Sequence, residues 1–183
     1  MAPEAIHEFG PNNGRLIAWA GLVATGFVVV SVLGNGVEQA DAAVLTWCAL
    51  VAVFLWCMFL RPKIIVEGPV LRLRNGFSDV RIPLVRVEYA AVTMFTNVVT
   101  DERTFRSTAV TRTRKQNVQR GTSEPDPMNS LADLVETTLN QVIDDAKAQR
   151  QPEGEITRAP AVVELALLAG LLVLSVVLVL VVG

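Results

Sequence analysis

One histidine and two cysteines are the whole supply of imidazole and thiol metal ligands in these 183 residues. His7 stands near the N-terminus, far along the chain from Cys48 and Cys57, so no His/Cys/acid cluster has the spacing of a zinc or iron site. The glycines are also in the wrong places for a phosphate loop: Gly10, Gly14, Gly21 and Gly34 do not follow a strand and open a helix. No serine sits in a nucleophile elbow. The acid pairs Asp101-Glu102 and Asp144-Asp145 are neighbours in sequence, and adjacent residues do not face one another on a helix, so both read as solvated surface. These absences remove the common catalytic constellations. They predict a chain that is not an enzyme and carries no cofactor or metal.

Charge is missing from long stretches as well. The runs 16–34, 42–60 and 161–182 are nearly free of it, and each has the roughly 20 apolar residues that cross a hydrocarbon core about 30 Å thick. Mean hydropathy is +0.43, with the excess concentrated in these runs. Both cysteines fall in the second run, nine residues or about 2.5 helical turns apart, on opposite faces where no disulfide can join them. A cleaved signal peptide ending near Ala40-Asp41-Ala42 is disfavoured, because the first run exceeds a signal core of about 7–15 residues. The expected plan is a tail (1–15), a helical hairpin (16–60), a domain (61–149), a polar linker (150–160) and a third span (161–182).

The placement of bases predicts the orientation. All 16 Lys and Arg lie at Arg15 or between Arg61 and Arg158, whereas the loop 35–41 has two acids and no base. Positive-inside bias then puts the N-terminus and residues 61–160 in the cytoplasm, with the loop and the C-terminus outside. Gly21 with Thr25, and Ala20 with Ala24, offer small residues for close packing in the hairpin. Glu164 is the one acid within a span. It reads either as an interfacial carboxylate paired with Arg158 or Arg61, or as a proton or ion relay.

The soluble segment alternates. Leu71 and Leu73 point one way, Arg72 and Arg74 the other, and Asn75-Gly76 follows with the composition of a type I′ hairpin. Val80 and Ile82 supply a return strand that Pro83 ends; further strands are expected around 85–89, 98–99 and 105. One helix near 131–147 carries the stripe Leu131, Leu134, Val135, Thr138, Val142 and Ala146, with Asp133, Glu136, Asp144 and Asp145 on its wet side. On this stripe, Leu134→Asp is expected to destabilise the domain.

Leu60-Arg61-Pro62-Lys63 after a two-span hairpin, Val70-Leu71-Arg72-Leu73-Arg74-Asn75, and Val80-Arg81-Ile82-Pro83-Leu84-Val85-Arg86-Val87 resemble small bacterial membrane proteins of actinobacterial type that carry a PH-like domain. The resemblance covers roughly residues 42–149; the third span and the basic, Thr-rich stretch 105–120 depart from it. It implies an α+β membrane protein, with transmembrane helices and a PH-like antiparallel β-barrel or sandwich closed by a C-terminal amphipathic helix. The family usually serves binding or assembly.

The candidate contact residues are Arg112, Arg114, Lys115 and Arg120, a basic run without the interleaved aromatics that stack nucleic-acid bases. It reads as a solvated strand end, an anionic-lipid contact or a protein-docking strip. The expected partners are membrane lipids and a protein partner or second copy, with no nucleic acid. The expected function is non-enzymatic assembly of a membrane complex. Lipid sensing at the inner leaflet is the alternative, and a transporter or relay built on Glu164 is more remote.

Overall fold

The computed structural model describes residues 7–11, 14–36, 41–112, 127–151 and 154–182. In chain order the elements are β1 (His7–Phe9), α1 (Arg15–Gly34), α2 (Asp41–Leu55, continued by a π turn Trp56–Leu60), β2 (Lys63–Glu67), β3 (Val70–Arg74), β4 (Ser78–Pro83), a 3-10 turn (Leu84–Arg86), β5 (Val87–Val92), β6 (Thr96–Thr100), β7 (Thr104–Ser107), α3 (Pro127–Ala148), β8 (Thr157–Pro160) and α4 (Val162–Val182). The protein is α+β, and α1, α2 with its π turn, and α4 are long and apolar enough to cross a membrane. Their large side chains are largely left bare by the rest of the chain, among them Phe27, Val51 and Leu180. Lipid is the solvent that such a surface suits.

The middle helix is α2, which packs on both α1 and α4. Gly21 faces it so closely that a Cβ would lie 2.6 Å from Leu55 Cδ1, and Thr25, one turn on, returns its hydroxyl to the Gly21 carbonyl. The other small pair, Ala20 and Ala24, is exposed. Gly14 enters α1 at φ 88° against the Phe59 ring, where a Cβ would approach to 2.5 Å; both the backbone and the contact require glycine.

Two antiparallel sheets enclose one core. The first has the order β1-β2-β3-β4-β8 and the second β5-β6-β7. Ile64, Leu71, Leu73, Val80 and Ile82 from the first meet Val87, Val92, Val98 and Phe105 from the second, with Val135, Leu139 and Ile143 of α3 completing the cluster. The sheets do not close into a barrel, so of the two expected forms the barrel is not the one adopted. Pro83 ends β4, the 3-10 turn redirects the chain, and the outer edge of β4 is taken by β8. Here the linker supplies β8, and the N-terminal tail supplies β1 on the outer edge of β2.

Two local expectations also change. Neither Asn75 nor Gly76 has positive φ, so the β3–β4 hairpin is not type I′. Gly76 instead fits a close approach, since its Cβ would lie 3.0 Å from the Cys57 carbonyl oxygen. The positive φ belongs to Gly68, at 54°, in the two-residue β2–β3 turn. On α3 the buried face is Ala132, Val135, Leu139, Ile143 and Ala146, while Leu131 and Leu134 are exposed. The stripe is therefore rotated from the expected one.

The rotation has a reason. The outer edge of β5 needs partners for its backbone, and polar side chains of α3 supply them. Asn140 Nδ2 donates to the Ala90 carbonyl at 2.9 Å, and its Oδ1 accepts from the Ala90 amide at 2.8 Å. Glu136 accepts from the Val92 amide at 3.0 Å, and Lys147 donates to the Glu88 carbonyl at 3.1 Å. Glu136 thus lies against the sheet and not on the wet side. Asn140→Leu strands two backbone groups at a buried residue and should cost about 2–4 kcal/mol, read from thermal unfolding in detergent. Leu134→Asp reaches solvent and should stay within about 0.5 kcal/mol. The reverse ranking would mean that α3 packs through the other face.

Candidate functional site

The first sheet meets the helices at three chain crossings. Residues 10–14 link β1 to α1, Arg61-Pro62 links α2 to β2, and Ala161 alone links β8 to α4. The β3–β4 turn sits beneath this junction. Phe77 O accepts from the Ala161 amide at 3.0 Å, and Asn75 Nδ2 donates to the Arg106 carbonyl of β7 at 3.0 Å.

Arg61 is 5% exposed at the centre of the junction. Its Nε donates to Glu164 Oε1 at 2.7 Å, and its Nη1 donates to the Asn75 carbonyl. Its Nη2 lies 3.0 Å from Asp79 Oδ1, close enough for an ion pair although not aligned as a hydrogen bond. Asp79 is held from the other side by Arg72 at 3.1 Å and Arg74 at 3.8 Å. Glu164 occupies the first turn of α4, where the helix dipole favours an anion. Of the two bases that the sequence places near Glu164, Arg61 is the partner. The carboxylate is therefore engaged in a clamp between span and sheet. Among the described residues the only other Asp or Glu within a span is Asp41, which begins α2 at the opposite end.

Two cavities open beside the clamp. One, of about 620 Å³, lies between the start of α1 (Gly14, Ile17), the π turn (Met58, Phe59) and the β3–β4 turn. The other, of about 400 Å³, lies between β4, β8 and β7, where the two sheets fail to join, and is lined by Arg103, Arg106 and Arg158. They share Asn75, Ser78 and Arg158, and no Asp or Glu lines either. Among the described residues none of these three arginines has a carboxylate partner; Arg103 lies over the Phe105 ring at 4.6 Å.

The residues singled out in sequence fare differently. Arg112 is buried, with its guanidinium bonded to Asp133 and 3.6 Å from Glu136, so it braces α3 and would have to leave that site to meet a headgroup. Arg114, Lys115 and Arg120 lie outside the described residues. Sequence reasoning missed Asp79 and the trio Arg103, Arg106 and Arg158. The available signal was Arg106 and Arg103 flanking Phe105 on a short strand, with Arg158 at the foot of a span.

Asp101 and Glu102 are exposed but not idle. Arg86 donates to both at 2.7 Å. That hydrogen bond, more than simple charge attraction, holds the Asp101 carboxyl below the usual carboxylate range. A folded-state value below the unfolded one gives stability that is present above pH of about 4 and is lost as pH falls through the folded value. Carbon-detected NMR titration should place the Asp101 midpoint below about 4 and move it upward in Arg86→Gln. An unmoved midpoint would remove the pair.

Breaking the clamp should be costly. Arg61→Met leaves Glu164 and Asp79 facing each other without their shared cation, and should lower stability by about 3–5 kcal/mol. Adding Glu164→Leu removes one orphaned charge and should recover part of the loss. If Arg61→Met alone leaves thermal unfolding unchanged, Arg61 does not hold the junction. Comparison of the chain with protein-family models, curated proteins and solved structures finds no match, so a functional reading rests on this geometry.

Proposed function

We propose that the chain is a non-enzymatic, multi-pass protein of the bacterial cell membrane. Its PH-like domain is held in fixed orientation against the inner leaflet to bind a partner there. The observation that carries this reading is the three-point attachment. Strands β1, β2 and β8 belong to one sheet and each is joined to a span within a few residues, while Arg61 clamps that sheet to α4. A domain tied this way cannot swing on a tether. It presents its other faces at a set height and angle, which suits assembly of a complex. The second reading, recognition of an anionic lipid, is favoured by the arginines beside the apolar cavity that have no carboxylate partner among the described residues.

The cytoplasmic side is proposed from charge. Arg15 begins α1 at the sheet end of the bundle, so the sheet end carries all the bases of the described residues, and the far ends of the spans carry none. Asp145→Cys, in a chain whose Cys48 and Cys57 are replaced by Ala, gives an exposed thiol on α3. In intact cells it should react with a membrane-permeant maleimide and resist an impermeant one. Ready labelling by the impermeant reagent would reverse the orientation.

A further inference from the structure

The paired cavity joins two chemistries. Ile17, Met58 and Phe59 belong to the first and last turns of spans, so their cavity begins where hydrocarbon gives way to headgroups. Arg158 stands four residues before α4, about 13 Å away if extended at 3.3 Å per residue. The headgroup layer of one leaflet is about 5–8 Å deep, so the arginine trio faces its outer margin. Among the described residues the trio is not neutralised from nearby, because Asp101 and Glu102 are engaged by Arg86, and Asp79 is engaged by Arg61, Arg72 and Arg74. Guanidinium forks match phosphate oxygens in pairs. Asn75 lines both cavities, and its Nδ2 is committed to the Arg106 carbonyl, which leaves Oδ1 as a buried acceptor without a donor.

We propose that this paired cavity binds one anionic phospholipid with a hydroxylated headgroup. Its phosphate sits on Arg103, Arg106 and Arg158, a headgroup hydroxyl donates to Asn75 Oδ1, and the start of its acyl portion lies along Ile17, Met58 and Phe59. The inference deepens the lipid reading and rests on the spans placing the cavity at the leaflet. An exposed polybasic strip would attract any anionic surface. A cavity with an apolar wing takes a single molecule and requires both of its ends.

The full chain in mild detergent, titrated with phosphatidylglycerol or phosphatidylcholine and followed by native mass spectrometry, tests this. One phosphatidylglycerol should bind saturably, at least tenfold more tightly than phosphatidylcholine. Replacing Arg103, Arg106 and Arg158 together by Gln should weaken phosphatidylglycerol at least tenfold without lowering thermal unfolding, since among the described residues none of the three supports a carboxylate. Asn75→Asp puts a carboxylate in the cavity that the three arginines line, where it competes with the phosphate for them, and should also weaken binding. Equal binding of the two lipids, or a triple variant that binds like the native chain, would overturn the proposal. So would inorganic phosphate or an acidic peptide competing as well as the lipid, which would assign the arginines to a soluble anion or to a protein. The native chain's preference between lipids needs no variant, so a misfolded variant leaves the result decisive. Loss of the protein from carbonate-washed membranes would instead sink the membrane placement, separately from any lipid preference.

Discussion

The guanidinium of Arg61 answers a problem created by the path of the chain. Strands of one sheet run straight into helices suited to hydrocarbon, with as little as one residue between them at Ala161. Backbone groups at such a crossing lose their regular partners, and water is scarce near the lipid boundary. Arg61 offers donors in several directions and spends them on Glu164 of α4, Asp79 of β4 and the Asn75 carbonyl of the turn. A lysine could not reach the three at once from a single point charge. The π turn from Trp56 to Leu60 delivers Arg61 to this position, with the Arg61 amide bonded to the Trp56 carbonyl at 2.9 Å. Burial of the ions makes each depend on the others, since any orphan would sit charged and dry.

From that fixed point the sheet edges follow. β1 lies beside β2 because the chain before α1 starts on the same side as the chain after α2. β8 lies beside β4 because the chain entering α4 must arrive next to the turn that Arg61 holds. With β8 in place, β4 has no edge to offer the second sheet, and the barrel stays open. The second sheet then manages its own exposed edge. At β5 the polar side chains of α3 replace a strand, leaving no ready template there for edge-to-edge pairing.

What the sequence disclosed divides along the same line. The spans were legible because length and hydropathy suffice to find them, and the alternation Leu71/Leu73 against Arg72/Arg74 marked a strand whose burial pattern follows it. The strands β1 and β8 were not legible. Their residues are short, polar or proline-flanked, and only the covalent tie to a neighbouring span makes them strands. The α3 face was misjudged because Leu131 and Leu134 carry more hydrophobicity than Ala132, while Asn140 and Glu136 carry the structural task and carry it through hydrogen bonds that periodicity cannot register. Glu164 stood out as an intramembrane acid, but its meaning depended on Arg61, 103 residues earlier in the chain. Arg112 stood out as part of a basic run, and its burial against Asp133 took it out of that run's surface.

The opening between the sheets is consequently where unspent charge collects. Along the first sheet each acid near the junction is claimed: Asp79 by three arginines and Glu8 by Lys63 at 2.6 Å. On the second sheet Arg86 claims Asp101 and Glu102. Among the described residues Arg103, Arg106 and Arg158 remain without a carboxylate, brought together by β7 and β8 across the gap left by the missing strand pairing. Three like charges converging in a small space repel one another, and the Arg103–Phe105 contact offsets only a little of that repulsion. An anion between them would relieve that repulsion, and the lipid site proposed above would draw it from the membrane surface.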